Sequence, residues 1–231
     1  MTQVLSELKK KYNNHEDYGI LETLKKKTKL LSWITSNCGY TEGSKTRVNI
    51  VTKMVESGIK IELRGACFPK NPPAPKKGSK EMQEFLRASK FYLAFENSYH
   101  CKDYITEKLY KNGFLAGTVP IVWGASKADY EAVTPPNSCI FVDDFAGNLT
   151  RLASYLDYLD RNDTAYREYL QWRTMDADQM YGHGQVIGDC RLCQRLVAGD
   201  DDEPSSADES LSIIKSLSSV MYGTEDSECL H

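Results

Sequence analysis

The sequence alternates short apolar runs with longer segments in which apolar residues recur at helical spacing. Five runs have the length of strands: Leu30–Ile34, Ile59–Leu63, Phe91–Phe95, Thr118–Gly124 and Ile140–Val142. Five segments have helical character: Ser44–Gly58, Lys80–Ser89, Asp103–Ala116, Leu149–Asp160 and Ala165–Trp172. Strands that alternate with helices at this spacing predict an α/β fold, a parallel sheet covered by helices on both faces.

The first predicted helix has a start signal and an end signal. Ser44 belongs to the residue types that cap helices, and Gly58 ends the periodic segment. The apolar face of this helix is predicted to consist of Val48, Val51, Met54 and Val55.

The two ends of the chain differ in composition from its middle. Residues 1–28 are polar and rich in Lys, with an amphipathic helix predicted over Leu5–Tyr12. Residues 199–231 are acidic and rich in Ser, which is typical of a disordered tail. The sequence therefore predicts one folded domain over residues 29–198, between the lead-in and the tail.

The composition is that of an ordinary soluble globular protein. Of the 231 residues, 41% are hydrophobic and 26% are charged, which excludes a wholly disordered, collagenous or coiled-coil chain. The net charge of -3 gives no general reason to expect nucleic acid or an anionic membrane as a partner. No apolar run approaches the roughly 18–20 residues of a membrane span, and the N-terminus lacks the apolar segment of a signal peptide.

The loop after the first predicted strand is rich in turn-forming and hydroxyl residues. It runs from Ser36 to Arg47 and includes Gly39 and Gly43. It matches neither G-x-x-x-x-G-K-[ST] nor G-x-G-x-x-G, the glycine patterns that bind nucleotide phosphates. Two interpretations stay open: a phosphate-binding loop, or a loop that only turns the chain and caps the next helix.

The loop after the third predicted strand carries more chemistry. Glu96 and Asn97 stand at the carboxyl end of a buried strand, where a parallel sheet presents side chains to ligands. Glu107 and Lys108 fall in the first turns of the predicted helix. A carboxylate there can accept hydrogen bonds from both ribose hydroxyls, and an ammonium can neutralise a pyrophosphate oxygen. The alternative is that Glu107 only complements the helix dipole and that Lys108 is solvated.

The same loop carries a family resemblance. The signature of the α-1,3-fucosyltransferases, glycosyltransferase family 10, resembles residues 91–98 (FYLAFENS) and 103–109 (DYITEKL). Further similar segments are 36–38 (SNC), 119–124 (VPIVWG), 140–145 (IFVDDF) and 169–173 (YLQWR). Two further segments, Gly65-Ala66-Cys67 and the Cys190-Arg191-Leu192-Cys193 ending, most resemble the family branch that acts on the core of N-glycans. The resemblance covers roughly residues 29 to 193, most of the chain.

This resemblance implies a Rossmann-like sheet that binds GDP-fucose, the C-terminal lobe of a GT-B glycosyltransferase. Position by position, it implies Arg47 and Lys108 at the pyrophosphate, Glu107 at the ribose, and Asn97 and Tyr104 at the sugar–phosphate end. The segment between Asn97 and Tyr104 is one residue longer than the family pattern. No metal and no other cofactor are implied, since GDP-fucose is the donor substrate.

The implied reaction is α-1,3 transfer of L-fucose, with inversion, to a terminal or core GlcNAc of a glycoprotein N-glycan. Such a transfer needs a general base for the acceptor hydroxyl, which the family places in an N-terminal lobe. We expect that lobe and a membrane anchor to be absent from this chain, which makes it a donor-binding half. The alternative is a catalytically inactive nucleotide-sugar-binding fragment. The resemblance also implies the Golgi, although the sequence contains no signal or membrane segment.

Some cysteine and asparagine motifs have a second interpretation besides this resemblance. Cys190 and Cys193 form a C-x-x-C pair, for which a disulfide or plain thiols are favoured over a zinc site. Cys38 and Cys67 end neighbouring strands, and whether they pair is left open. The segments 148–150 (NLT) and 162–164 (NDT) match the N-glycosylation pattern, which matters only if the chain reaches the lumen.

Overall fold

The computed structural model describes residues 20, 23–99, 101 and 104–174. Its strands are β1 (Lys29–Ile34), β2 (Ile61–Arg64), β3 (Ser89–Phe95), β4 (Val119–Trp123) and β5 (Ile140–Phe141). They form a parallel sheet in the order β2-β1-β3-β4-β5, with Leu31 opposite Phe91 and Leu93 opposite Ile121. The predicted parallel sheet is therefore confirmed.

Helices connect the strands and follow the last one. The α-helices are α1 (Glu42–Glu56), α2 (Lys80–Arg87), α3 (Lys127–Val133), α4 (Leu149–Arg161) and α5 (Asp163–Glu168). A π-helix (Lys108–Phe114) connects β3 to β4, and two 3-10 helices are Val142–Phe145 and Gln171–Arg173. None of the described helices is long and apolar enough to cross a membrane.

Both faces of the sheet are buried, because successive strand residues point to opposite sides and each side carries helices. The cluster on the first face includes Leu31, Phe91, Leu93, Phe95, Val51, Met54, Leu152 and Leu156, which joins the sheet to α1 and α4. The cluster on the second face includes Tyr92, Ala94, Val122, Leu86, Leu109, Phe114 and Tyr130, which joins the sheet to α2, the π-helix and α3. Ile20 belongs to the first cluster, so the buried part of the domain starts ahead of β1.

The start of α1 differs from its prediction. Thr41 is the N-cap, and its hydroxyl accepts a hydrogen bond from the backbone N–H of Ser44. The Ser44 hydroxyl in turn accepts from the backbone N–H of Thr41, which completes a capping box. Either hydroxyl residue is a suitable cap, so the sequence does not distinguish them. At the other end of α1, Val55 is 43% exposed, since Met54 takes the buried position in the last turn.

Two other predicted helices differ from the structure. The helix predicted over Asp103–Ala116 begins only at Lys108, because the backbone N–H of Thr106 donates to the Glu96 carboxylate at 2.8 Å. The helix predicted over Ala165–Trp172 is divided into α5 and a 3-10 helix. The Leu5–Tyr12 helix, the Cys190–Cys193 pair and the 199–231 tail lie outside the described residues.

Candidate functional site

The carboxyl ends of β1 and β3 lie side by side, because these strands are neighbours in the sheet. We call residues 35–41, which follow β1 and lead to α1, the first junction. Residues 96–107, which follow β3 and lead to the π-helix, are the second junction; residues 100, 102 and 103 within it lie outside the described part. The predicted site residues lie in these junctions or in the helices that follow them.

Glu96 is fully buried directly after β3. Its carboxylate accepts hydrogen bonds from the Thr106 backbone N–H at 2.8 Å and from the Thr106 hydroxyl at 2.9 Å. Lys108 Nζ donates to Glu96 Oε2 at 2.7 Å. The strand-end position of Glu96 predicted a side chain presented to ligand, whereas the structure turns it inward. This burial is tolerated because a carboxylate in the interior needs a cation and hydrogen-bond donors, and Lys108 and Thr106 supply them to Glu96.

Lys108 lies between two carboxylates. Its ammonium is 2.7 Å from Glu96, 4.0 Å from Glu107 and 2.6 Å from the Thr106 hydroxyl. The Lys108 side chain is 15% exposed, whereas the Glu107 side chain is 45% exposed. Burial alone would raise the pKa of the Glu107 carboxyl, but Lys108, hydrogen bonds from its own backbone and Thr106, and Lys77 hold that pKa below its ordinary value. Glu107 is therefore an accessible, ionised carboxylate beside a largely covered ammonium.

Gly124, directly after β4, makes the room that Glu96 occupies. A Cβ atom at position 124 would lie 2.6 Å from the Glu96 Cβ and 3.1 Å from the Ser98 carbonyl oxygen. Its φ of +137° also lies in the region that favours glycine. The glycine that ends the predicted motif 119–124 is thus required by the packing of the second junction.

Arg47 reaches from α1 to the ends of β1 and β3. Its Nη1 donates to the Phe95 carbonyl at 2.8 Å, and its Nη2 donates to the Thr35 hydroxyl at 2.9 Å and the Asn37 carbonyl at 3.0 Å. The residue is 2% exposed, and burial lowers the pKa of its guanidinium against the opposing effect of Glu96 and two tyrosines. Arg47 thus joins the first junction to the end of β3, while its predicted contact with a pyrophosphate stays a prediction.

Asn97 and Tyr104 are the remaining predicted site residues, and both lie in the second junction. The Asn97 carbonyl accepts a hydrogen bond from the Thr41 hydroxyl at 2.5 Å. The buried Asn97 Oδ1 accepts no hydrogen bond from any described residue. Tyr104 is half-buried and lies close enough to Arg47 to raise the pKa of its guanidinium. The structure therefore gathers the five predicted residues at one edge of the sheet, and their contact with a ligand stays a prediction.

The first junction is held by covalent and capping contacts. Cys38 forms a disulfide with Cys67, with Cα atoms 5.2 Å apart, so the pairing left open by the sequence is present. The Asn37 Oδ1 accepts from the Tyr40 backbone N–H at 3.2 Å. Gly43, in the first turn of α1, packs so closely that a Cβ there would lie 2.5 Å from the Asn97 carbonyl oxygen. These contacts support the interpretation of this loop as a turn and cap.

A groove of about 420 Å³ borders Glu107 between α2 and the π-helix. Its apolar lining consists of Met82, Leu86, Leu115 and Ala116, and its polar lining includes Lys77, Gln83 and Asn112. Such a combination of apolar walls and a few polar groups is common in pockets for small ligands. Within the described ranges, no three His, Cys, Asp or Glu side chains are grouped so that they could hold a metal ion.

Thr106 and Gly124 are the members of this arrangement that the sequence analysis misses. Both lie inside the recognised segments, but neither carries a charge that would single it out. One signal could have found them. Because Glu96 directly follows an unbroken apolar strand, it is expected to be buried, and a buried carboxylate needs a cation and donors nearby. Lys108 and Thr106 are suitable partners in the following loop.

Comparisons with known proteins bear on the family. The family model described as "Glycosyltransferase family 10 (fucosyltransferase) C-term" matches residues 24–211. "Alpha-(1,3)-fucosyltransferase 4" of Bos taurus is 40% identical over 159 residues, which are 69% of this chain and 37% of that protein. "Glycoprotein 3-alpha-L-fucosyltransferase A" of Drosophila melanogaster is 38% identical over 174 residues, which are 74% of this chain and 31% of that protein.

A solved structure shares the fold. A crystal structure of an α1,3-fucosyltransferase with GDP-fucose matches with a TM-score of 0.57 at 22% identity, over 85% of this chain and 54% of that chain. The present chain spans about a third of the length of the two curated relatives. Because the family model matches most of its residues, the chain belongs to glycosyltransferase family 10, the fucosyltransferases.

Proposed function

We propose that this chain binds GDP-fucose and forms the donor-binding half of an α-1,3-fucosyltransferase. The enzyme would transfer L-fucose, with inversion, to a GlcNAc of a glycoprotein N-glycan in the Golgi lumen. The observation that carries the proposal is the Glu96–Lys108 pair, which holds a cation beside the accessible carboxylate of Glu107. Family membership supports a fucosyl donor, and the name of the Drosophila relative supports a glycoprotein acceptor.

Glu107 and Lys108 have different roles in this proposal. Glu107 is ionised and accessible, so it can accept hydrogen bonds from the ribose hydroxyls. An ammonium has three N–H groups, and the contacts of Lys108 with Glu96 and Thr106 use two of them. The third remains for a pyrophosphate oxygen, and the two existing contacts fix where the ammonium stands.

The other predicted residues take supporting and contacting roles in this proposal. Arg47 supports the site by holding the first junction against the end of β3, and the pyrophosphate would lie near its guanidinium. Asn97 and Tyr104 are the proposed contacts of the sugar–phosphate end. The nucleoside would lie in the groove beside Glu107, whose volume of about 420 Å³ is sufficient for it.

The direct test is titration calorimetry of GDP without added metal. Glu107→Gln keeps the shape of the side chain but removes its charge, so we expect GDP affinity to fall about tenfold, the equivalent of about 1.4 kcal/mol. Glu131→Gln is the matched control, because Glu131 is an exposed carboxylate on α3 and belongs to neither junction. If Glu107→Gln binds GDP as tightly as the parent, the ribose site is misplaced.

Lys108 needs a paired design, because its removal alone leaves Glu96 buried without a cation. Glu96→Gln/Lys108→Met removes both charges and keeps an amide that can accept the Thr106 hydrogen bonds. We expect this double variant to unfold near the parent's denaturant midpoint and to bind GDP at least about tenfold more weakly. A folded double variant with the parent's affinity for GDP would exclude Lys108 from the donor site.

Transfer is tested separately from binding. Among the described residues of the site, Glu96 is already hydrogen-bonded in the interior and Glu107 is assigned to the ribose, so neither is placed as a general base. We therefore expect this chain to bind GDP-fucose, without added metal, and to show no transfer to a GlcNAc-terminated glycopeptide. Fucosylated product made by the purified chain would contradict the assignment of the base to another lobe.

A further inference from the structure

The two N-glycosylation motifs lie at opposite ends of α4. Asn148-Leu149-Thr150 begins the helix, and Asn162-Asp163-Thr164 follows its last residue. Thirteen residues of α-helix separate them, a distance of about 20 Å at 1.5 Å per residue. Both asparagines are N-caps, Asn148 of α4 and Asn162 of α5. The two sites therefore share a motif and a backbone role, but their surroundings differ.

Asn148 presents its amide nitrogen to solvent. Its Oδ1 accepts a hydrogen bond from the Arg151 backbone N–H at 2.9 Å, while its Nδ2 donates to no described residue. Asn148 and Thr150 are both exposed, and the two residues before Asn148, Ala146 and Gly147, form a surface turn with φ values of 49° and 74°. A glycan on Nδ2 leaves Oδ1 unchanged, so the cap of α4 is kept after modification.

Asn162 uses both ends of its amide. Its Oδ1 accepts from the Ala165 backbone N–H at 3.1 Å, and its Nδ2 donates to the Tyr158 hydroxyl at 3.2 Å. The segment is also tied to β3, because the Lys90 ammonium donates to the Asp160 carbonyl at 2.7 Å and lies 3.4 Å from Asp163. Asn162 itself is half-buried. A glycan here would have to displace Tyr158 from the amide nitrogen.

We propose that Asn148, rather than Asn162, carries an N-linked glycan. In the reaction, Nδ2 attacks the anomeric carbon of a lipid-pyrophosphate-linked oligosaccharide. The N–C bond forms as the C–O bond to the pyrophosphate breaks, and Nδ2 gives up one proton. The inference rests on the lumenal location proposed above, which the Cys38–Cys67 disulfide supports, since such bonds persist in oxidising compartments.

The test is expression of the full chain behind a cleavable signal sequence in eukaryotic cells, followed by glycopeptide mass spectrometry. We expect the glycan on Asn148 to be the main one. Thr150→Ser keeps the motif and should keep the glycan, whereas Thr150→Ala and Asn148→Asp should both lose it. Asn148→Asp preserves an oxygen for the Arg151 N–H, so loss of the glycan there is not a result of losing the cap. Thr164→Ala should leave the glycan pattern unchanged.

Three outcomes would overturn the inference: no glycan on the secreted chain, a glycan mainly on Asn162, or equal occupancy of the two asparagines.

The glycosylation measurement is independent of donor binding, which calorimetry measures on the same material. A chain that is glycosylated on Asn148 but does not bind GDP contradicts only the proposed function. A chain that binds GDP but carries no glycan on Asn148 contradicts only this inference.

Discussion

The first and second junctions follow neighbouring strands at the same edge of the sheet, but only the second contains a buried carboxylate paired with a cation. The first junction is fixed by the Cys38–Cys67 disulfide and the capping box of Thr41 and Ser44. The second also contains a disulfide-bonded cysteine, Cys101, but it differs in its buried Glu96, which is bonded to Thr106 and Lys108. Arg47 connects them through hydrogen bonds to the ends of both strands.

Under the proposed function, this difference distinguishes a structural loop, the first junction, from a ligand-binding loop, the second junction. A disulfide and a helix cap order the backbone without placing charge where a ligand could meet it. A buried ion pair is a weak source of stability, because desolvation offsets its attraction. Its more useful effect here is to hold Lys108 in one place beside the accessible Glu107. We infer that the first junction mainly stabilises the fold and that the second binds the donor.

The largest expected effect comes from unpairing the second junction. Lys108→Met leaves the Glu96 carboxylate buried without its cation, so we expect a loss of about 3–5 kcal/mol in the free energy of unfolding. Glu96→Gln/Lys108→Met should recover most of that loss, because no isolated charge remains. Urea denaturation of the parent, the two single variants and the double variant gives the coupling free energy.

The control for this cycle is Lys111→Met, which removes an exposed cation from the same π-helix. Its free energy of unfolding should lie within about 0.5 kcal/mol of the parent. If Lys108→Met is no less stable than Lys111→Met, Glu96 is not held as a buried charge.

The next effect concerns the scaffold. Cys38→Ser/Cys67→Ser opens a cross-link between residues 29 positions apart, for which chain entropy predicts a loss of about 3–4 kcal/mol in the free energy of unfolding. GDP affinity of the folded variant, measured by calorimetry below the unfolding transition, should stay within about twofold of the parent, since no charge of the second junction changes. A large fall in affinity with unchanged stability would reverse the roles assigned to the two junctions.

The fold follows from the sequence almost strand by strand, because apolar runs of strand length alternate with helical segments. The exceptions are places where a side chain competes with the backbone pattern. The helix predicted from Asp103 starts at Lys108 because Glu96 takes the N–H of Thr106. The cap of α1 is Thr41 rather than Ser44 because these two hydroxyl residues, three positions apart, share one capping box. Neither contact can be predicted from the local pattern of apolar and polar residues alone.

The site is predictable in its residues but not in its contacts. Glu107 and Lys108 are predicted from the family resemblance together with a strand-to-helix junction that has a carboxylate and an ammonium side by side. The pairing of Lys108 with Glu96 depends on a contact across 12 residues and on the space that Gly124 leaves beside Glu96. The burial of Arg47 likewise depends on the packing of α1 against the end of β3. That packing cannot be predicted from residue spacing along the chain.

A smaller effect tests the cap of the first junction. Thr41→Ala removes the hydroxyl that accepts from the Ser44 N–H and donates to the Asn97 carbonyl. We expect it to lower the free energy of unfolding by about 0.5–2 kcal/mol. Thr41→Ser keeps the hydroxyl and should lie close to the parent in the same denaturation series. Equal stability of the Ala and Ser variants would mean that the capping box does not stabilise α1.

The smallest effect is the pH dependence that Glu107 contributes. Its pKa is held below the ordinary value in the folded chain, so its ionised form stabilises the fold above the ordinary carboxyl pKa of about 4.3. That contribution is lost as the pH falls through the lowered pKa of the folded state. Because the side chain is 45% exposed, the contribution belongs in the range of about 0.2–1 kcal/mol that exposed ion pairs have. The parent should therefore be slightly more stable than Glu107→Gln at pH 7, and the difference should shrink as the pH is lowered below the ordinary carboxyl pKa of about 4.3, as followed by urea denaturation at each pH. A difference that persists at the acidic end would mean that hydrogen bonding or packing, rather than the carboxylate charge, distinguishes the two side chains.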